Sequence, residues 1–345
     1  MFWLRVPEKV YFKKGCMPVA LDELGAVYGK KKAFIVTDTF LYKSGYIKPV
    51  EDKLNELNIQ HTSFFHLESK PTLVSVREGA KAASLFEPDV IIAVGGGSAI
   101  DAAKLIRVFY EYPDADFFDF AKRFSDIRKR DDLFPRAGIK AYFAAIPTSS
   151  GTGSEVSPFA VVKDEADNAE YTIADYELLP DMAVVDADYM MNQPKELTAA
   201  AGLTALAHAL EAYASPIAVE YTDGFALKAL ENLFEYLPSA YEKGADDPIA
   251  REKVAAASTM AGIAFANSFS GNADDFGKIT DALSLTDVIR QKSQSDESVL
   301  ARYSECAGYL GIKGSDNKET LALFIAKIDE LIESFGIKKT AADNG

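Results

Sequence analysis

The sequence predicts an α/β domain built on a parallel sheet, followed by an all-helical domain. Three observations predict it. Short apolar runs alternate with helix-compatible segments through the first half, one of those runs ends in three consecutive glycines, and the alternation stops near Pro194. From there the chain is rich in Ala, Leu, Glu and Lys at helical spacing. Strand–helix–strand alternation implies a mainly parallel sheet with helices on both faces.

Taken in order, "KAFIVTD" (Lys32–Asp38) is a short apolar run ending in an acid, as a buried parallel strand does. A polar helical segment, Tyr46 to Leu57, separates it from a second strand, "IQHTSFF" (Ile59–Phe65). "SVREGAKAASLF" (Ser75–Phe86) has helical spacing, and "DVIIAVGGGS" (Asp89–Ser98) is a third strand running into glycines. "AIDAAKLIRVFYEY" is the helix after it, and "KAYFAAIPTSSGTGSE" (Lys140–Glu155) is a further strand ending in a Ser/Thr/Gly loop. The boundary between the two domains falls within "LLPDMAVVDADYMMNQP", Leu178 to Pro194. The expected division is 1–188 and 189–345.

The chain has 345 residues, 48% of them hydrophobic, which is ample material for two cores. Its formal net charge of −15 argues against nucleic acid or an anionic membrane surface as partner, since both need a basic face. A phosphate ligand stays open, because backbone N–H groups bind phosphate locally. The two cysteines, Cys16 and Cys306, form neither a disulfide framework nor a C-x-x-C site. No stretch reaches the ~20 apolar residues of a membrane span, and the N-terminus lacks a signal-peptide pattern. The expected location is the cytoplasm.

The glycine turn is the strongest chemical signal in the first half. Gly95, Gly96 and Gly97 let the backbone approach a ligand and take positive φ. The following helix points N–H groups and its positive dipole end at the turn, an anion site suited to pyrophosphate. Ser98 is placed to cap that helix or to bond a phosphate oxygen. A tight strand-to-helix turn without a ligand is the other reading, but three glycines exceed what a turn needs. Asp38 stands where dinucleotide folds hold a ribose hydroxyl, and where a turn or N-cap acid also stands. The standard G-x-G-x-x-G fingerprint is absent. In "PTSSGTGSE" (Pro147–Glu155), Thr148, Ser149 and Thr152 suit a cofactor loop or a surface loop. Its origin at a buried strand favours the cofactor. His208, in the Ala/Leu-rich helix "GLTALAHALEAYAS" (Gly202–Ser215), is one of only three histidines, so it is either a fragment of a metal site or a packed core residue.

"GGGSAIDAAK", "IPTSSGTGSEVSPFAV", "LLPDMAVVD" and "HALEAYAS" occur in this order. Together they resemble the iron-containing (group III) alcohol dehydrogenase family, and within it the alcohol dehydrogenase domain of the bifunctional aldehyde–alcohol dehydrogenases. The resemblance implies a dinucleotide-binding α/β domain, a helical domain carrying metal and substrate, and an active site in the cleft between them. It implies hydride transfer between a small primary alcohol and its aldehyde. Asp38 is then near the adenosine ribose, Gly95, Gly96, Gly97 and Ser98 at the pyrophosphate, and Thr148, Ser149 and Thr152 along the cofactor. NAD is the expected cofactor, with NADP left open, and a homo-oligomer is compatible with the family.

The sequence departs from that pattern at the metal. The family's helix reads G-x-D-A-x-x-H, and here Thr204 stands at the Asp position while His208 remains. The two histidines that follow an "AFAN" segment in the family have no counterpart in "AFANSFSGNADDFGKITDALSLTDVIRQ", from Ala264. No bound divalent metal is therefore expected. Asp274 and Asp275 are candidates for a replacement site, or simply a turn or helix cap. Glu170 stands where the family carries Lys beside the cofactor. Without a metal, His208 is the remaining candidate for a proton donor. Two functions follow: an alcohol dehydrogenase with a degraded metal site, or an impaired member that keeps the fold and nucleotide binding.

Overall fold

A computed structural model describes residues 3–67, 70–121, 134–269 and 284–337 of the chain. The first portion holds strands β1 (Lys9–Phe12), β2 (Lys32–Asp38), β3 (Gln60–Leu67), β4 (Val90–Gly95) and β5 (Tyr142–Pro147). It continues through β6 (Phe159–Asp164), β7 (Ala169–Ala174) and β8 (Met182–Val185). Helices α1 (Met17–Ala26), α2 (Thr39–Lys43), α3 (Lys48–Glu56), α4 (Leu73–Phe86), α5 (Gly97–Glu111) and α6 (Phe117–Phe120) lie between the strands. Six strands form one parallel sheet in the order β1-β8-β5-β4-β2-β3, and β6 and β7 form a separate antiparallel pair.

The strands at the centre of the sheet are buried on both faces. All six residues of β4 are buried, and so is Ala33–Thr37 of β2. Helix-covered parallel strands have no solvated face and so read as continuous apolar runs. On one face Leu21 and Leu24 of α1 and Val50 and Leu54 of α3 pack on Ile35, Ile92 and Ile146. On the other face α4 and α5 pack on Phe34, Ile91 and Phe143. The chain steps outward from β2 to β3, then crosses back to place β4 on the far side of β2. The helices after β2 and β4 therefore cover opposite faces and leave a crevice at the carboxyl ends of these strands. Ligands bind at such a reversal in open α/β sheets.

The second portion is helical among the described residues: α7 (Lys195–Tyr213), α8 (Glu220–Lys243), α9 (Pro248–Ser268), α10 (Leu285–Ser295), α11 (Glu297–Tyr309) and α12 (Asn317–Ser334). Leu206, Leu230, Phe265, Tyr303 and Phe324 belong to its core. α7 is buried almost all round. A helix without a polar face is an interior helix, and α7 lies between α8 and α9 on one side and the loop after β5 on the other. No helix among the described residues is long and apolar enough to cross a membrane.

The two portions meet through backbone. A Cβ added at Gly151 would lie 2.8 Å from Ala201 Cα on α7, and one at Gly153 would lie 2.5 Å from Gly262 Cα on α9. Gly153 also takes φ +67°, which disfavours any side chain there. Substituting Gly262→Ala puts a methyl 2.7 Å from Gly153 Cα, where only backbone can move. We expect it to cost about 1–3 kcal/mol, read as a lower urea midpoint. An unchanged midpoint would mean that α9 and the loop separate freely.

Candidate functional site

The glycine turn, the loop after β5 and the end of β2 converge on the crevice. Thr148 N–H donates to Gly95 O at 3.0 Å, extending the ladder between β4 and β5 past Pro147. Beyond it the loop folds over the turn. A Cβ at Gly96 would lie 3.3 Å from Ser149 Oγ, and one at Gly97 would lie 2.7 Å from Thr152 Oγ1 and 3.2 Å from Ser154 Oγ. Thr148 and Ser149 are half-buried and Thr152 is exposed. Ser150 and Ser154 are buried; Ser150 Oγ donates to Met190 Sδ at 3.0 Å, and the Ser154 and Thr152 hydroxyls are 3.1 Å apart.

Two expectations about the turn need correction. None of its three glycines has positive φ, and Gly96 is extended at φ −72°, ψ −175°. They are required for close approach: a Cβ at Gly95 would sit 2.5 Å from Ala99 Cβ, and one at Gly97 would strike Thr152. Nor does Ser98 cap the helix. Gly96 is the N-cap of α5, without a side-chain cap, and Ser98 lies inside the first turn. An uncapped N-terminus keeps first-turn donors and the positive dipole end available to an anion.

Asp38 ends β2 and caps α2, its Oδ1 accepting from Leu41 N–H at 2.8 Å. This acid therefore has a local structural role and also lies at the crevice. The register between β2 and β3 shifts between Val36 and Asp38, and the buried Thr37 hydroxyl has no partner. Glu170 lies on β7 and is ion-paired with Lys70, which offsets its charge.

Beneath the turn lies a buried charged group that reading the sequence missed. Lys104 Nζ donates to Ser157 O at 2.9 Å and Phe159 O at 2.5 Å, and stands 3.7 Å from Asp101 Oδ1. Asp101 Oδ2 accepts from Val161 N–H at 3.1 Å, and Glu155 Oε1 accepts from the Thr259 hydroxyl of α9 at 2.8 Å. Burial raises both carboxyl pKa values and lowers that of Lys104 to about 8. The group joins α5, the loop, β6 and α9. The available signal was an Asp and a Lys three apart in "IDAAKLI", on a helix otherwise apolar enough to be interior.

His208 is 5% exposed, and its ring stacks on Phe265 of α9 with centroids 4.5 Å apart and planes at 11°. Burial pushes its pKa down to about 4, the backbone of Thr152 opposing the shift through a hydrogen bond. Nδ1 has no hydrogen-bond partner. Thr204, four residues earlier, turns its hydroxyl back to Ala200 O at 3.0 Å. Among the described residues no three His, Cys, Asp or Glu side chains come together. Among the described residues, one imidazole and one neutral hydroxyl fall short of the roughly three or four donors a divalent cation needs. Asp274 and Asp275 lie outside the described residues.

The model of iron-containing alcohol dehydrogenases matches residues 7–187, and that of the C-terminal part of the Fe-containing alcohol dehydrogenase family matches residues 198–274. This chain belongs to the iron-containing alcohol dehydrogenase family. It is 43% identical over 370 residues to the bifunctional aldehyde-alcohol dehydrogenase AdhE of Escherichia coli K12, a match covering all of this chain and 41% of that protein. The chain thus spans about two-fifths of the length of that relative. The NADPH-dependent butanol dehydrogenase of Clostridium saccharobutylicum is 33% identical, with all of this chain and 87% of that protein covered. The structure of an alcohol dehydrogenase from Oenococcus oeni superposes with a TM-score of 0.88 at 26% identity, covering 100% of this chain and 90% of that one.

The buried charges make a direct test of how the site is held. Lys104→Met removes the cation and leaves Asp101 and Glu155 uncompensated, at an expected cost of about 3–5 kcal/mol. Adding Asp101→Asn should restore part of it, read by chemical unfolding of both variants. A neutral Lys104→Met would show that the carboxyls are already protonated.

Proposed function

We propose that this chain is a nicotinamide-dependent oxidoreductase lobe that interconverts small primary alcohols and aldehydes, with a metal site reduced to His208. The observation that carries the cofactor reading is the uncapped N-terminus of α5 at Gly96, over which the absent Cβ atoms of Gly96 and Gly97 let the hydroxyls of Ser149 and Thr152 pack closely. Pyrophosphate suits such a terminus. In this reading residues 1–188 hold the cofactor and residues 189–345 close the substrate side. Asp38 keeps one oxygen on Leu41 N–H and offers the other to a ribose hydroxyl. Its negative charge at that point favours NAD over a 2′-phosphorylated cofactor.

A bound nicotinamide supplies or accepts the hydride. The chain's own residues bind and orient it. Thr148 continues the ladder that fixes the loop, Ser149 and Thr152 pack over the turn, and Ser98 presents its first-turn position to the phosphates. His208, neutral at pH 7 and closed off by Phe265, suits fixing Thr152 better than donating a proton to substrate. A second reading, nucleotide binding with impaired turnover, is favoured by Thr204 standing beside a lone imidazole.

The Cβ of Gly96→Val would meet only the Ser149 hydroxyl, at 3.3 Å, and its branched side chain would stand at the uncapped helix terminus, so the variant should fold and lose at least tenfold in NADH affinity, about 1.4 kcal/mol, by calorimetry. Equal affinity in both proteins would move the cofactor elsewhere. The purified chain should hold far less than one tightly bound iron or zinc per molecule, and alcohol oxidation should respond weakly to added metal. Stoichiometric metal that is lost on His208→Ala would restore the metal-dependent reading.

A further inference from the structure

Four rings gather where β2 and β3 end. Tyr42 and Phe65 stack with centroids 3.8 Å apart and planes at 4°, and Phe65 meets His66 at 4.4 Å. Phe40 is different. It is 72% exposed, and no ring or cation of the described residues covers it. Its backbone is nevertheless held on three sides. Asp38 caps the turn that carries it, Thr39 Oγ1 donates to Phe65 O at 2.8 Å, and Ser44 Oγ donates to Phe40 O at 2.7 Å. Leu41 turns inward, with Cδ1 3.6 Å from where a Gly95 Cβ would lie. The short helix carrying Phe40 therefore sits against the glycine turn.

Single exposed apolar side chains are ordinary on protein surfaces, so exposure alone argues nothing. Position and rigidity do. Phe40 lies two residues after the acid that ends β2, at the reversal between β2 and β4, where an open α/β sheet takes its ligand. A dinucleotide with its pyrophosphate at Gly96 and a ribose at Asp38 directs its base outward past that acid. Bases stack on aromatic side chains whatever their hydrogen-bonding edge. Tyr42 has one face occupied by Phe65, whereas Phe40 is 72% exposed and stacks on no ring of the described residues.

We propose that Phe40 is the stacking platform for the adenine ring of the dinucleotide, a proposal that rests on the cofactor reading above. It makes Phe40 a specificity residue for purine dinucleotides over ligands that lack a base at that end. Because Phe40 contributes nothing to the core, its replacement should leave the fold intact.

The test compares the full chain with Phe40→Ala and Phe40→Trp. Dissociation constants are measured by calorimetry for NADH, for ADP-ribose, and for reduced nicotinamide mononucleotide, which lacks adenosine. Phe40→Ala should weaken NADH and ADP-ribose by roughly tenfold and leave the mononucleotide unchanged, and Phe40→Trp should restore binding. Equal affinity of Phe40→Ala and parent for NADH would overturn the platform while leaving the cofactor reading standing. Equal losses for NADH and the mononucleotide would also overturn it, since the effect would then lie outside the base. No binding of any of the three ligands by the parent would defeat the cofactor reading and the platform together.

Discussion

The loop between β5 and β6 is the constraint on which the rest of the molecule depends. It must lie flat between the end of the sheet and the helical layer, and it does so because two of its positions have no side chain. At Gly151 and Gly153 the backbone of α7 and α9 occupies the space that a Cβ would need. The glycine turn faces the same loop from below, with Gly97 against Thr152. Turn, loop and helices are thus registered by backbone contact, which leaves little slack. The exit of the loop is fixed by Lys104, whose ammonium satisfies the carbonyls of Ser157 and Phe159. A buried ammonium is costly without partners, so Lys104 and the two carboxyls hold each other in place. Breaking one member would leave the others in a medium that cannot solvate them.

Legibility in the sequence followed the range of the interaction. The strands at the sheet centre were readable because burial on both faces writes itself as a local apolar run, as in Val90–Val94. The glycine turn was readable for the same reason, since strand, glycines and helix are contiguous. β1 and β8 were not, because their pairing, Lys9 with Met182 onward, joins distant segments and neither four-residue strand carries a pattern of its own. The β6–β7 pair was missed between a Ser/Thr/Gly loop and a polar turn. The glycine conformations were misjudged because a missing Cβ can serve either positive φ or close approach, and only the surroundings decide. At Gly97 the deciding atom, Thr152 Oγ1, is 55 positions away in the chain. The carbonyl partners of Lys104, Ser157 and Phe159, are equally distant, so a buried lysine could be suspected from its apolar helix but not assigned.

The two halves of the candidate site differ in what they are made from. The proposed cofactor site is largely backbone: close approach without Cβ atoms, an uncapped helix terminus and the carbonyl of Gly95 that anchors Thr148. Outside the glycines that close approach requires, such a site tolerates side-chain changes, because N–H groups and dipoles do not depend on residue type. A metal centre of the carboxylate–imidazole kind is made from side chains, and each donor lost removes part of the charge or geometry that the ion requires. Thr204 illustrates the asymmetry. Its hydroxyl finds a carbonyl one turn back on its own helix, so it is satisfied without a ligand. His208 follows the same logic: stacked on Phe265 beside Thr152, it is accommodated as a neutral core residue. The loop after β5 is fixed by glycine contacts and a buried lysine, none of which involves the side chain of Thr204.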